Sequence, residues 1–411
     1  MKYSVYTVLI LSFFYFSCQK NNPEIAGTNE LSAVTYSEKI YTQPISINNQ
    51  VVSLVNDGTS TLLNGYDLNG SKIWSTNTDG YIIQDLTYDD ITKLELQKNN
   101  QGEILLNMMH GESQDMVLKS VKFTNYGSYH SEFTDIVRQT DTIFYQTDTI
   151  SLPKLSQFSA NGIVPLSNGS TAVISSWKQW LVDTTLIQMS VYDDPVGSRV
   201  SDRYFKLNGN VEINHVYISS HDHLVLEATD TINRTLLYFV DISTGTVFSS
   251  SPLPIFDLFS FYENANGEFI LIASTLFNLE YRSHVICLNT EGVGLWSKTF
   301  VNNASWMFNS VTETSNGYIF TGFMTENSLL NNFDWRTTFD KENVKAMILK
   351  TDFQANFEND IGWFSILDVA ESSVGAVTLS NANLTLFGGK YDRTVHNTFI
   401  LKLDNEGKII Q

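Results

Sequence analysis

The chain has 411 residues and a formal net charge of −19, with 44 acidic against 25 basic residues. That balance disfavours any role that needs a basic patch, such as binding nucleic acid or anionic lipid. Two cysteines exclude a disulfide framework, and a chain of this length buries enough apolar surface to fold without one.

Lys2 and the apolar run Val5 to Phe16 read as an export signal, because the run is shorter than the roughly 20 residues of a membrane span. The run ends in Tyr15-Phe16-Ser17-Cys18, which resembles the lipobox of bacterial lipoproteins. In that family the cysteine is acylated and becomes the mature N-terminus. The resemblance implies lipidation at Cys18, a signal peptide over 1–18 and residence in the bacterial cell envelope, as an outer-membrane lipoprotein. Tyr15 departs from the usual aliphatic residue, and a cleaved signal peptide or a short uncleaved anchor are the alternatives. Residues 19–33 are polar and carry Pro23 and Gly27, the composition of a flexible tether.

From residue 34 the chain repeats. A turn of the form Asp/Asn/Thr-x-x-Gly recurs at Asp67, Thr124, Asp194, Asp241, Asn289, Asp352 (with Ala355 in the last place) and Asp404, at intervals of about 50 residues. A second series of Asn- and Gly-rich turns interleaves with it, as at Asn100-Gln101-Gly102, Asn266-Gly267 and Asn316-Gly317. Both turn types close hairpins, because Asn, Asp and Gly accept the left-handed backbone. Each unit reads as four strands, and the inner ones are continuously apolar, so both sheet faces are covered. No segment holds a helical period over three turns.

These features predict an all-β chain, a seven-bladed β-propeller of four-stranded antiparallel blades. The expected blades are 43–79, 80–134, 156–205, 206–254, 255–300, 301–364 and 365–411, within a propeller domain of 34–411. The last strand is expected at Lys408-Ile409-Ile410, with Val34 to Tyr41 latching beside it. The repeat apolar-Lys-x-Asp-x-x-Gly-x-x-x-Trp, best seen at Asp67 to Trp74, Asn289 to Trp296 and Ile400 to Ile410, resembles the quinoprotein-like and WD40-like propellers of bacterial surface proteins. That likeness concerns the fold, and such propellers host unrelated functions.

The connections divide into two kinds. First-to-second and third-to-fourth strand turns are short and alike, and they share one face, here the turn face. Long connections lie on the opposite, loop face, where binding residues concentrate. The expected binding residues are Trp177, Lys178 and Trp180 after one strand, Trp306, and Asp334, Trp335 and Arg336 in the connection 325–344. Exposed Trp beside charge suits a sugar ring or a protein anchor, although large aromatics more often pack between blades.

His221-Asp222-His223 lies in a turn without a third ligand, and Asp85, Asp89 and Asp90 lack calcium-loop spacing, so no metal is expected. Cys287 sits in an apolar strand and reads as a buried free thiol. No nucleophile elbow, phosphate loop or meaningful carboxylate pair is present, and no cofactor is expected. The sequence therefore points to a non-catalytic binding or scaffolding module for a cell-envelope protein or a glycan, touching membrane only through its lipid. The alternative is a hydrolase or lyase with its site at the mouth of the central channel. An enzyme would gather perturbed titratable groups at that mouth, and a binding module would show exposed aromatics.

Overall fold

The computed structural model describes residues 18–19 and 34–410, apart from 84, 113–114, 139–141, 146–147, 152–156, 180–182, 194–197, 220–222, 250–251, 254–256, 278–279, 301–304, 326–343, 358–361, 371, 381–382 and 393–394. Antiparallel strands dominate, joined by two single-turn 3₁₀ segments at Asp79–Tyr81 and Tyr88–Asp90.

Six blades are four-stranded meanders, each from one contiguous stretch of chain. Blade one pairs Gln50–Asn56, Thr61–Asp67 and Lys72–Asn77 behind a first strand broken into Lys39–Ile40 and Ile45–Ile47. Blade two runs Lys93–Lys98, Ile104–Glu112, Asp115–Phe123, Tyr129–Arg138. Blade three runs Gln157–Pro165, Thr171–Gln179, Thr184–Tyr192, Arg199–Asn208. Blade four runs Glu212–Ile218, His223–Thr229, Thr235–Asp241, Val247–Ser249. Blade five runs Asp257–Glu263, Phe269–Phe277, Glu280–Leu288, Gly294–Phe300, and Cys18–Gln19 adds to its edge in parallel. Blade six runs Ser305–Thr314, Gly317–Thr325, Val344–Thr351, Trp363–Ala370.

The expectation of seven such blades is thereby corrected to six. The stretch after blade six supplies only three strands, Ser372–Ser380, Asn383–Asp392 and Val395–Asp404, and the fourth place in that closing sheet is taken by Val34–Tyr36 from the other end of the chain. Past the turn at Asp404 to Gly407, Lys408–Ile410 makes one bridge, Leu403 to Ile409, and one further bond from Ile410 N–H to Lys402 O, and it forms no fourth strand. The open edge at Thr398–Ile400 is paired by the N-terminal residues instead. An extra hairpin, Thr142–Tyr145 with Asp148–Ser151, stands between blades two and three in the chain.

The turns follow their local code. Asp67 Oδ1 accepts from the N–H groups of Asn69 and Ser71, both at 2.8 Å, and the N–H of Gly70 returns to Asp67 O. Asn99, Asn264, Asn289, Asp352 and Asp404 repeat the pattern, and Thr124 does so through its hydroxyl. An acceptor on a short side chain is what the turn needs, hence Asp, Asn or Thr.

The apolar core lies between blades rather than within them. One buried cluster separates blades one and two (Val52, Leu106), another blades three and four (Ile174, Leu226), another blades five and six (Ile272, Phe320). The Trp of the repeat belongs to this packing. Trp74, on the outer strand of blade one, lies under the third-to-fourth turn of blade two, where a Cβ on Gly127 would stand 2.4 Å from its ring. Trp363 of blade six meets Gly407 of the closing sheet in the same way, at 2.6 Å. Trp296 of blade five shares a cluster with fully buried Ala355 of blade six. The motif Asp-x-x-Gly-x-x-x-Trp is thus a blade-to-blade staple: Gly leaves room, and the preceding blade's Trp fills it.

At the ring closure a buried carboxylate does comparable work. Glu38 accepts from Asn64 Nδ2 (3.0 Å), Tyr66 Oη (2.5 Å) and Lys72 Nζ of blade one, with Thr398 of the closing sheet at 3.5 Å. Burial, and then Glu38 itself, pushes the Tyr66 phenol far above its ordinary range, so it stays a donor.

Candidate functional site

First strands line the centre. Ile45–Ile47 abuts Lys93–Lys98, Gln157–Pro165 abuts Glu212–Ile218, Asp257–Glu263 abuts Ser305–Thr314, and Ser372–Ser380 closes onto Ile45–Ile47. Lys93 Nζ donates to Asn161 O at 2.9 Å, bridging blades two and three. Tyr217 stacks on Phe261 at 4.9 Å, bridging blades four and five. Bulges recur in these inner strands, between Ala160 and Gly162, Ile213 and His215, Leu258 and Ser260, Phe308 and Ser310, and Val374 and Ala376. A bulge re-aims the residues that follow it, and bulges favour sites where a side chain must be turned.

In blade four the bulge sets His215 opposite Glu227 of the second strand. His215 Nδ1 lies 2.6 Å from Glu227 Oε2. The Glu227 carboxylate is 3% exposed, whereas the imidazole is 46% exposed, so an anchored carboxylate holds a half-exposed ring on a first strand. Because a carboxylate only accepts, Nδ1 carries a proton, and in the neutral ring Nε2 is then the lone pair. Two residues on, Tyr217 is half-buried, and its hydroxyl has no hydrogen-bond partner among the described residues. Burial first, then the charges of Glu227 and Glu95, hold its phenol well above the ordinary range. Tyr217 is therefore a neutral O–H beside a potential base. Glu95 of blade two is itself held by Lys93 (3.1 Å) and Gln97 (3.0 Å).

The pair sits towards the loop face: Glu227 is two residues from the loop-face end of its strand at Thr229, which pairs with Glu212, and His215 is midway along Glu212–Ile218. Lys178, one of the residues expected to bind, reaches this rim and bonds Glu212 Oε2 at 3.0 Å. The other expected residues are elsewhere. Trp177 is fully buried against Phe158, and Trp306 stacks on Phe364 at 4.7 Å with an interplanar angle of 3°. Both indole N–H groups are buried without a partner among the described residues, so neither ring is a surface anchor. Each strand face is covered by the next blade, and a large ring on such a face is drawn into the layer. Trp180, Asp334, Trp335 and Arg336 lie outside the described residues, as do His221 and Asp222.

His215, Tyr217 and Glu227 carry no motif. The signal that could have found them is Glu227 itself, a lone carboxylate inside the apolar run Leu224-Val225-Leu226-Glu227-Ala228. Such a group is retained in a buried strand only with a partner. Two other titratable groups are structural. His284 has both ring nitrogens on threonine hydroxyls, Thr275 at 2.7 Å and Thr299 at 2.9 Å, and burial lowers its pKa to about 4. Cys287 is a buried free thiol whose pKa burial, aided by Glu268, pushes up to about 12, so it is not a nucleophile at neutral pH. Among the described residues no group of three metal-binding side chains occurs.

No protein-family model and no curated protein matches the chain. Among solved structures, the polysaccharide lyase Uly1 superposes with a TM-score of 0.46 at 10% identity, over 96% of this chain and 94% of that one. A prolyl endopeptidase gives 0.48 at 12% identity, over 91% of this chain, which spans 48% of the endopeptidase. Porphyromonas gingivalis dipeptidyl peptidase 4 gives 0.48 at 10%, over 95% and 62%. Superpositions this loose transfer no residue role.

Proposed function

We propose that the loop-face mouth of the channel is an acid–base catalytic site of hydrolase or lyase type, with His215 as base, Glu227 as the group that positions it, and Tyr217 as acid. The observation that carries this is the 2.6 Å bond from a buried carboxylate to the Nδ1 of a half-exposed imidazole. A fixed tautomer with Nε2 free is the arrangement that proton abstraction requires. A neutral phenol two residues away can give its own proton to a leaving group, and the imidazolium formed at His215 then reprotonates the phenolate. Among the described residues no side chain at this mouth is an activated nucleophile, so the reading favours attack by water or elimination over a covalent intermediate.

The proposed address is that of an exported lipoprotein anchored through Cys18, supported by Lys2, the apolar run and Ser17-Cys18. Substrates reachable from a cell envelope include polysaccharides. The test is incubation with neutral and uronate polysaccharides and with nitrophenyl esters, following new reducing ends, unsaturated ends and nitrophenolate. His215→Ala should lower the rate by about 10²–10⁴, the usual contribution of a positioned acid or base. Glu227→Gln should lower kcat and shift the pH profile. Turnover indifferent to His215→Ala, or absent with every substrate, refutes the proposal.

A further inference from the structure

A second feature is on the turn-face rim between blades one and two. The turn 124–128 joins the third and fourth strands of blade two and is held from three sides by blade one. Gln50 Nε2 donates to Asn125 O, Thr76 Oγ1 donates to Gly127 O at 2.7 Å, and the Trp74 ring lies beneath Gly127. Trp74 is fixed in turn by its Nε1 bond to Gln50 Oε1 at 2.8 Å. From this clamped turn Tyr126 projects with 71% of its surface exposed. Tyr129, three residues on, is 46% exposed and stacks on Tyr81 at 5.2 Å and 7°. One face of Tyr129 is thus covered, and the other is open. Ile73 of the neighbouring outer strand is exposed as well.

We propose that this rim is a binding subsite for a neutral glycan, distinct from the channel mouth. An open tyrosine face on a rigid support suits the C–H face of a sugar ring, and two-torsion aromatic side chains lose little entropy on binding. The flanking charges choose the kind of sugar. Lys119 is 3.3 Å from Glu132, Lys122 is 3.6 Å from Glu103, and His130 Nδ1 is 2.6 Å from the same Glu103. Each of these three cations is engaged by a carboxylate, so they offer a uronate or a sulfate no unpaired positive charge, while the carboxylates can accept from sugar hydroxyls. A protein partner would bury about 800 Å² on each side around an apolar core, which two tyrosines ringed by carboxylates do not provide.

The proposal goes beyond the channel reading and is read independently of it. Affinity electrophoresis in gels containing soluble β-glucan, mannan or xylan, with polygalacturonate as the anionic contrast, measures retardation directly. The expected result is retardation by at least one neutral polymer. Tyr126→Ala and Tyr129→Ala should each weaken it about tenfold, Tyr129→Trp should preserve it, and His215→Ala should leave it unchanged. Tyr126 is largely exposed and Tyr129 is half-exposed, so thermal melting should change little for the first and modestly for the second, and it serves as the folding control. No retardation by any neutral polymer, equal retardation of the Ala variants, or stronger retardation by polygalacturonate overturns the proposal. Loss of catalysis in His215→Ala with retardation intact separates the two sites.

Discussion

Gly127 and Gly245 offer a controlled measurement of the blade-to-blade staple. Both lie in turns between third and fourth strands, at φ +75° and +74°. At Gly245 an added Cβ meets nothing within 4 Å, whereas at Gly127 it would stand 2.4 Å from the Trp74 ring. Alanine at either position carries the left-handed penalty of ~1 kcal/mol. Only at Gly127 is there an overpacking cost in addition, typically about 1–3 kcal/mol when the neighbours must shift. Gly245→Ala should therefore cost about 1 kcal/mol and Gly127→Ala about 2–4 kcal/mol. Unfolding entropy of ~2.1 cal/mol/K per residue, taken over the propeller, gives ~0.8 kcal/mol/K, so melting temperatures should drop by about 1 °C and about 3–5 °C respectively. Urea midpoints followed by tryptophan fluorescence resolve the difference better than heat. Adding Trp74→Ala should relieve the Gly127→Ala clash, giving a coupling of about 1–3 kcal/mol in a double-mutant cycle. Equal losses at the two glycines, or strict additivity with Trp74→Ala, would show that the staple does not exist.

Two further outcomes follow from buried titratable groups. The folded-state pKa of His284, about 4, is below the ordinary histidine value of 6.5. The unfolded chain therefore binds this proton first, and stability falls as pH drops from about 6.5 towards about 4, by ~3 kcal/mol in all at 1.36 kcal/mol per unit. Urea denaturation at several pH values should show that slope, and a slope of unchanged size in His284→Gln would rule the assignment out. At the closure, Glu38→Ala leaves Asn64 and Tyr66 without their buried acceptor and Lys72 without its ion-pair partner. Removing one member of such a network costs about 3 kcal/mol, or ~4 °C of melting temperature here. Differential scanning calorimetry that finds the variant within a degree of the parent would show that the ends are held by other contacts.

Local chemistry was legible wherever neighbours in the chain decide the structure. Asp67, Asn289 and Asp404 close their turns with bonds two and four residues away, so the turn series, the strands between them and the propeller could be read directly. Blade number was not readable in the same way. The edge of Val395–Asp404 is filled by Val34–Tyr36, more than 360 positions earlier, and competition for an open edge is settled only when the ring closes. Trp177 and Trp306 show the same limit on the functional side. Their sequences place them on strands or beside loops, but the covering of each strand face by another blade decides that they are buried.

The channel site lies at the far end of this range. His215 and Glu227 are twelve residues apart and follow no recognisable spacing. A bulge after Ile213 puts them opposite each other, and the first strand of blade four holds the imidazole half-exposed. The sequence by itself determined the repeating turns, the strand character and the kind of fold, because these rest on bonds within a few residues. The tertiary structure decided how many blades are complete, which aromatics remain at the surface and which titratable groups meet. Those depend on packing between blades, where contacts form across distances that no local pattern encodes.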